Sequence, residues 1–153
     1  MSIENVRKYF KEMNIEKEIL EFEVSTSTVD LAAAALGIIP ARIAKTLSFK
    51  LDDTAILVVT SGDMKIDNKK FKDEFKTKAK MLKPEEVIDF TGHAIGGVCP
   101  FGLTNDLKVY LDVSMKNYET LYPACGSSNS AVEMTCDELF KYSKAEKWVD
   151  VCK

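Results

Sequence analysis

Apolar residues at Val6, Tyr9, Phe10 and Met13 recur at helical spacing and predict one buried stripe along a first helix beginning near Ser2. Ile19, Leu20, Phe22 and Val24 nearly alternate with acids and predict a strand. Ser27 or Thr28 can cap a second helix, with Asp30 in its first turn, Ala32 to Ala35 supplying propensity and Gly37 as the stop. Pro40 begins a further short element. Two β-rich runs, 43–50 and 54–60, flank Asp52-Asp53 and predict a hairpin that places Lys45 on or at the start of a strand.

Farther along, Asp67 can cap a helix that buries Phe71 and Phe75, and Lys83-Pro84-Glu85-Glu86 has the proline and acids that favour a helix start. Residues 90–93 are expected to lead into a strand, 109–113 to form one, 114–121 a short helix and 129–134 another strand. Thr135 and Glu138 form a capping box for a last helix. Short strands and helices interleave without the regular repeat of a doubly wound parallel sheet. The expected fold is α+β, a mixed, curled, barrel-like sheet flanked by short helices.

Composition narrows this picture. At 153 residues, 46% hydrophobic and 29% charged, one domain over residues 1–153 is expected, with no linker, fibrous repeat or disordered tract. The N-terminus has no apolar signal core and the longest apolar run is too short to span a bilayer, so a cytoplasmic protein without a membrane partner is expected. Cys99, Cys125, Cys136 and Cys152 match neither a disulfide module nor a zinc spacing, so reduced thiols and no metal are expected. The net charge of −3 is uneven: residues 64–83 hold eight lysines against three acids. Lys65, Lys69, Lys70 and Lys72 within it can follow a phosphate backbone or form a solvated helix face.

Five of the seven glycines fall between Thr91 and Gly126. In the run Gly96-Gly97-Val98-Cys99-Pro100-Phe101-Gly102, paired glycines let main-chain amides approach a ligand, and such amides can bind a carbonyl or oxyanion. A tight structural turn accounts for the same run. Lys45, among Ile43, Ala44 and Leu47, is either an outward residue or a buried cation with a purpose. His93, the single histidine, can be a strand residue with a bonded ring or pair with Cys99 as base and nucleophile.

Taken together, an alanine-rich helix ending in Leu36-Gly37, then Ala44-Lys45-Thr46-Leu47, the GxxxP loop from Gly96 to Pro100 and Val132-Glu133-Met134 before Asp137-Glu138-Leu139 resemble the YbaK/EbsC family of aminoacyl-tRNA deacylases. That family includes the editing domain of bacterial prolyl-tRNA synthetases. The run Tyr122-Pro123-Ala124-Cys125-Gly126-Ser127-Ser128-Asn129-Ser130 is closest to one of its subgroups. The resemblance implies a freestanding trans-editing hydrolase acting on the acceptor end of aminoacylated tRNA, cleaving cysteine or alanine from proline tRNA, with prolyl-tRNA synthetase as a further partner. It implies no metal or organic cofactor. By carry-over Lys45 is the essential lysine and the amides of Gly96 and Gly97 act at the ester, while Phe22, Val29, Thr46, His93, Val98, Cys99, Pro100 and Ala131 contribute to the pocket. Ala131 stands where cysteine-specific members carry an acid, and Cys99 where serine is frequent. Two alternatives remain: a non-catalytic module binding tRNA or an aminoacyl group, and a Cys99/His93 hydrolase.

Overall fold

A computed structural model describes residues 2–153. The frame is a curled, six-stranded mixed sheet in the order β7-β5-β2-β3-β4-β8. Its centre is the antiparallel hairpin of β2 (Ile43–Leu51) and β3 (Thr54–Ser61), closed at Leu51↔Thr54 with Asp52 in the left-handed region at φ 54°. On one side β3 pairs in parallel with β4 (Lys108–Asp112), which pairs in parallel with β8 (Lys147–Val149). On the other, β2 pairs in parallel with β5 (Thr120–Pro123), which pairs antiparallel with β7 (Met134–Thr135). A small second sheet joins β1 (Leu20–Glu21) to β6 (Ser130–Ala131). The α+β architecture expected from the pattern is the one found.

Both faces of β3 are covered, which explains why its apolar run is continuous and does not alternate with polar residues. Leu57 and Val59 face the larger core with Val6 and Phe10 of α1 (Ser2–Glu12) and Leu139 of α5 (Cys136–Tyr142). Ile56 and Val58 face the other way, with Phe49 and with Phe71 of α3 (Asn68–Phe75). The register fixes β2 by the same pleat: Lys45, Leu47 and Phe49 oppose Thr60, Val58 and Ile56 on the α3 side, and Thr46 and Ser48 oppose Val59 and Leu57 on the larger-core side.

The predicted caps form. Thr28 caps α2 (Val29–Leu36), which ends at left-handed Gly37, and Asp67 accepts from the Lys69 and Lys70 amides. Pro84 opens α4 (Pro84–Thr91), and Thr135 and Glu138 exchange both capping bonds.

Four expectations need correction. Residues 90–93 lead into no strand: Phe90 and Thr91 finish α4, Gly92 ends it at φ 79°, and His93 enters a loop that reaches β4 at Lys108. The helix expected over 114–121 is a 3-10 turn, Val113–Asn117, followed by β5. The strand expected over 129–134 is broken into β6 and β7, because Val132 donates its amide to the Pro123 carbonyl and turns the chain between two sheets. Met13 lies beyond α1 and is exposed, so the buried stripe ends at Phe10.

Candidate active site

A cavity of about 230 Å³ opens where the sheet splits between β5 and the segment at Met81. Its walls include Thr26 to Val29 leading into α2, β2 from Ile43 to Ser48, Met81 and Leu82 with Val87 of α4, the loop residues Ile95, Gly96 and Val98, and Ala124 with Ser130 and Ala131. Exposed Met81 and Ile95 stand among them. Apolar groups dominate; among the described residues no carboxylate side chain lines the cavity and Lys45 is the one basic residue that does. Two of its hydroxyls, Thr26 Oγ1 and Thr46 Oγ1, are buried without a hydrogen-bond partner. Such groups are uncommon in folded proteins.

Lys45 lines the cavity from the strand, but the pleat sends its side chain towards α3. There the ammonium donates to the Met64 carbonyl. Burial draws its pKa below the ordinary lysine range, opposed by the nearby Cys152 and Asp63 and reinforced by Lys65. The result is a half-buried cation fixed beneath the open strand.

Among the loop glycines, Gly96 and Gly97 differ. Gly96 lines the cavity at φ 95°, and a Cβ there would sit 2.9 Å from the Ser27 Cβ. Its N–H makes no hydrogen bond among the described residues, which leaves it free to donate. The Gly97 amide instead donates to the Ala94 carbonyl at 3.0 Å, and its carbonyl accepts from Gly126. Gly97 is glycine because a Cβ would meet the Gly126 carbonyl carbon at 2.8 Å. Its expected part as an amide donor therefore needs correcting: its N–H closes the turn that presents Gly96.

Of the other expected pocket residues, Val29, Thr46, Val98 and Ala131 line the cavity and Phe22, His93, Cys99 and Pro100 do not. Phe22 is held by Asn129, donating its amide to the Asn129 carbonyl at 2.8 Å and accepting from the Asn129 side chain at 2.9 Å. Pro100 borders a separate depression with Tyr9 and Gly102. His93 and Cys99 are fully buried.

The geometry also removes the nucleophile reading of Cys99. His93 Nε2 lies 2.7 Å from the Phe101 carbonyl, so that nitrogen carries a hydrogen and offers no lone pair to accept the proton of the thiol 3.6 Å away. Burial lowers the histidine pKa and pushes the Cys99 thiol up to about 12, so neither thiolate nor imidazolium forms near neutrality. Cys99→Ala should leave hydrolysis within about twofold of wild type and lower stability by about 1–2 kcal/mol for the lost sulfur packing, measured by activity assay and chemical denaturation.

Of the lysines, Lys70 is tied to Asp150 and to the Cys152 carbonyl, at 3.1 and 3.0 Å. Lys65, Lys69 and Lys72 are exposed and form no ion pair among the described residues. Lys69, Lys70 and Lys72 stand on α3, which packs through Phe71 and Phe75 on the sheet face opposite Thr46 and Ser48. Thr26, Ser48, Met81, Ile95 and Ser130 are lining residues that sequence reasoning did not single out. Each comes from a different stretch and has no local signature; only the register and the split sheet bring them together.

A family model described as the aminoacyl-tRNA editing domain matches residues 23–142, and the chain belongs to that family. Among its relatives is the uncharacterized protein YwhH of Bacillus subtilis, 53% identical over 154 aligned residues that cover 100% of this chain and 98% of YwhH. The proline–tRNA ligase of Bacillus licheniformis is 32% identical over 102 residues, covering 65% of this chain but only 18% of the ligase. A solved structure described as "a putative trans-editing enzyme for prolyl tRNA synthetase" superposes with a TM-score of 0.91 at 29% identity, over 99% of this chain and 97% of that one. The hypothetical protein APE2540 superposes with a TM-score of 0.87 at 26% identity, over 97% of this chain and 99% of its own. Among the described residues no helix is long and apolar enough to cross a membrane.

Proposed function

We propose that this chain hydrolyses, in trans, the ester that joins a wrong small amino acid to the 3′ end of proline tRNA, with cysteine and alanine as the amino acids removed. The observation that carries this reading is the cavity at the split of the sheet, whose wall holds both Gly96, with an N–H unbonded among the described residues, and the strand that carries the half-buried Lys45 cation. An aminoacyl ester is already activated, so its hydrolysis needs an oriented water and stabilisation of the charge that develops on the carbonyl oxygen. The Gly96 amide supplies a fixed dipole and Lys45 a positive field in a largely apolar enclosure, where both act more strongly than in water. A cavity of about 230 Å³ suits a small aminoacyl group, with the ribose and terminal base towards exposed Met81 and Ile95.

Relatives of both kinds support the reading: the chain matches a segment of a proline–tRNA ligase and, over almost its full length, a structure whose description names trans-editing for prolyl tRNA synthetase. The function is tested by adding the purified chain to a prolyl-tRNA synthetase that misacylates proline tRNA with alanine or cysteine. The mischarged product should fail to accumulate while prolyl-tRNA remains; accumulation at the rate seen without the chain contradicts the proposal.

Lys69 and Lys72 are assigned to the tRNA backbone, and Lys65 to the same basic edge. Reversing Lys69 and Lys72 to glutamate should raise KM for tRNA severalfold and reduce the salt slope of binding by about one per lost phosphate contact, with kcat unchanged. Activity assays across a salt series check this.

A further inference from the structure

Strand β2 is paired along nearly all of both edges, and the exception lies inside the cavity. On the β5 side the parallel register ends at Ala44↔Pro123. Farther along the same edge, Leu82 donates its amide to the Ser48 carbonyl at 3.1 Å and Lys50 donates to the Lys80 carbonyl at 2.8 Å, around the bridge Phe49↔Met81. Main-chain groups on a strand turn to alternate edges, residue by residue. Ala44, Thr46, Ser48 and Lys50 therefore turn theirs to this edge, while Lys45, Leu47 and Phe49 turn theirs to β3. Ala44 is covered by β5 and Ser48 by Leu82. Between them Thr46 has no strand partner on this edge among the described residues, so the alternation turns its N–H and C=O towards the cavity that it lines. Its hydroxyl is also buried without a partner.

A free edge one residue long selects a ligand of matching chemistry. Two facing residues of an antiparallel pair exchange both hydrogen bonds, each offering a donor and an acceptor on either side of one Cα. An α-aminoacyl ester has that arrangement, with an amino group and an ester carbonyl flanking one tetrahedral carbon. We propose that the aminoacyl group of the substrate docks on Thr46 as a one-residue strand, its amino group donating to the Thr46 carbonyl and its ester carbonyl accepting from the Thr46 amide. This rests on the hydrolase reading of the same cavity and deepens it, by assigning the substrate class as α-aminoacyl and fixing the orientation of the ester. It is strand addition reduced to a single residue.

The surroundings fit this arrangement. With no carboxylate in the lining, the amino group is held by a neutral carbonyl rather than an ion pair. When water adds to the carbonyl carbon, the carbonyl oxygen gains negative charge and the aligned Thr46 amide bonds it more strongly. The carbon–oxygen bond to the ribose then breaks, its electron pair stays on the ribose oxygen, and that oxygen takes the proton lost by the water. The products are the free amino acid and tRNA with its 3′-terminal hydroxyl restored. The open edge of β2 thus supplies a donor additional to the Gly96 amide.

Two measurements on the full chain test the proposal. Proline tRNAs carrying alanyl, lactyl and propionyl esters compare an amino donor, a hydroxyl donor and none, each scored as rate enhancement over its own spontaneous hydrolysis. The lactyl ester should stay within about tenfold of alanyl and the propionyl ester should fall by about 100-fold or more. Equal enhancement for propionyl overturns the proposal. Independently, binding of 3′-(L-alanylamino)-3′-deoxyadenosine, which carries a stable amide in place of the ester, should slow hydrogen exchange at the Thr46 amide by about tenfold or more. An analogue that fails to bind, or that binds without protecting Thr46, also overturns it. Protection at Thr46 without turnover of the alanyl ester would instead leave the docking slot standing and overturn the hydrolase reading alone.

Discussion

Replacing Lys45 by alanine should slow deacylation by about two to three orders of magnitude, the effect of removing one preorganised group that stabilises developing charge. The fold should survive, because the Lys45 side chain is only half-buried and the one hydrogen bond it gives up runs to the Met64 carbonyl. The pH profile separates this role from a structural one. Burial places the folded Lys45 pKa below its ordinary value of 10.5, so its charge is lost on the alkaline side earlier than for a free lysine. Enhancement over spontaneous hydrolysis should therefore decline as pH rises through that lowered value. The same shift has a stability sign: the unfolded chain holds the lysine proton more tightly, so Lys45 weakens folding at neutral pH and this effect fades as pH rises towards 10.5. Lys45→Met should accordingly lose activity without losing melting temperature at pH 7. A large drop in melting temperature would assign Lys45 to the structure instead.

Gly96→Ala should reduce both stability and rate. At φ 95° an alanine sits outside the conformations open to side chains, and its Cβ would be 2.9 Å from the Ser27 Cβ. The strain amounts to about 1–3 kcal/mol, visible as a lower denaturation midpoint. Relief by movement of the loop swings the free Gly96 amide away from the cavity, so kcat should fall by about 100-fold, with a smaller change in KM because tRNA contacts outside the cavity remain. A variant of near wild-type kcat would show that this amide does not act on the ester.

How much of this was legible beforehand depends on the range of the forces involved. The caps at Thr28, Asp67 and Thr135 are local hydrogen bonds between near neighbours, and each could be read from residue type and spacing. The β2–β3 hairpin was equally plain, because a long β-rich pair around Asp52-Asp53 closes within a few residues. The helix expected over 114–121 and the single strand expected over 129–134 differ from the structure because the strands there are two to four residues long and exist through partners elsewhere: Thr120–Pro123 beside Ile43 and Ala44, and Ser130–Ala131 beside Leu20 and Glu21. Strand β8 was missed for the same reason, since its three residues pair only with β4.

For the site, the loop and the lysine stood out as residue types in suggestive company. The direction of each group did not. Alternation on β2 sends the Lys45 side chain to one face and opens the Thr46 main chain to the cavity, and the Ala94 turn consumes one of two adjacent glycine amides. Neither fact is encoded in composition or motif. Likewise Cys99 and His93 are neighbours in space, as their spacing allowed, but burial and the Phe101 carbonyl settle their protons in a way that leaves no nucleophile.

On the proposed function this chain by itself cleaves the ester of a mischarged tRNA. Single-turnover hydrolysis of alanyl- and cysteinyl-proline tRNA by the purified chain, against correctly charged prolyl-tRNA and a no-protein control, tests it most directly. The mischarged esters should be released far faster than in the control and the prolyl ester should persist; release no faster than spontaneous hydrolysis for every amino acid tried would contradict the account.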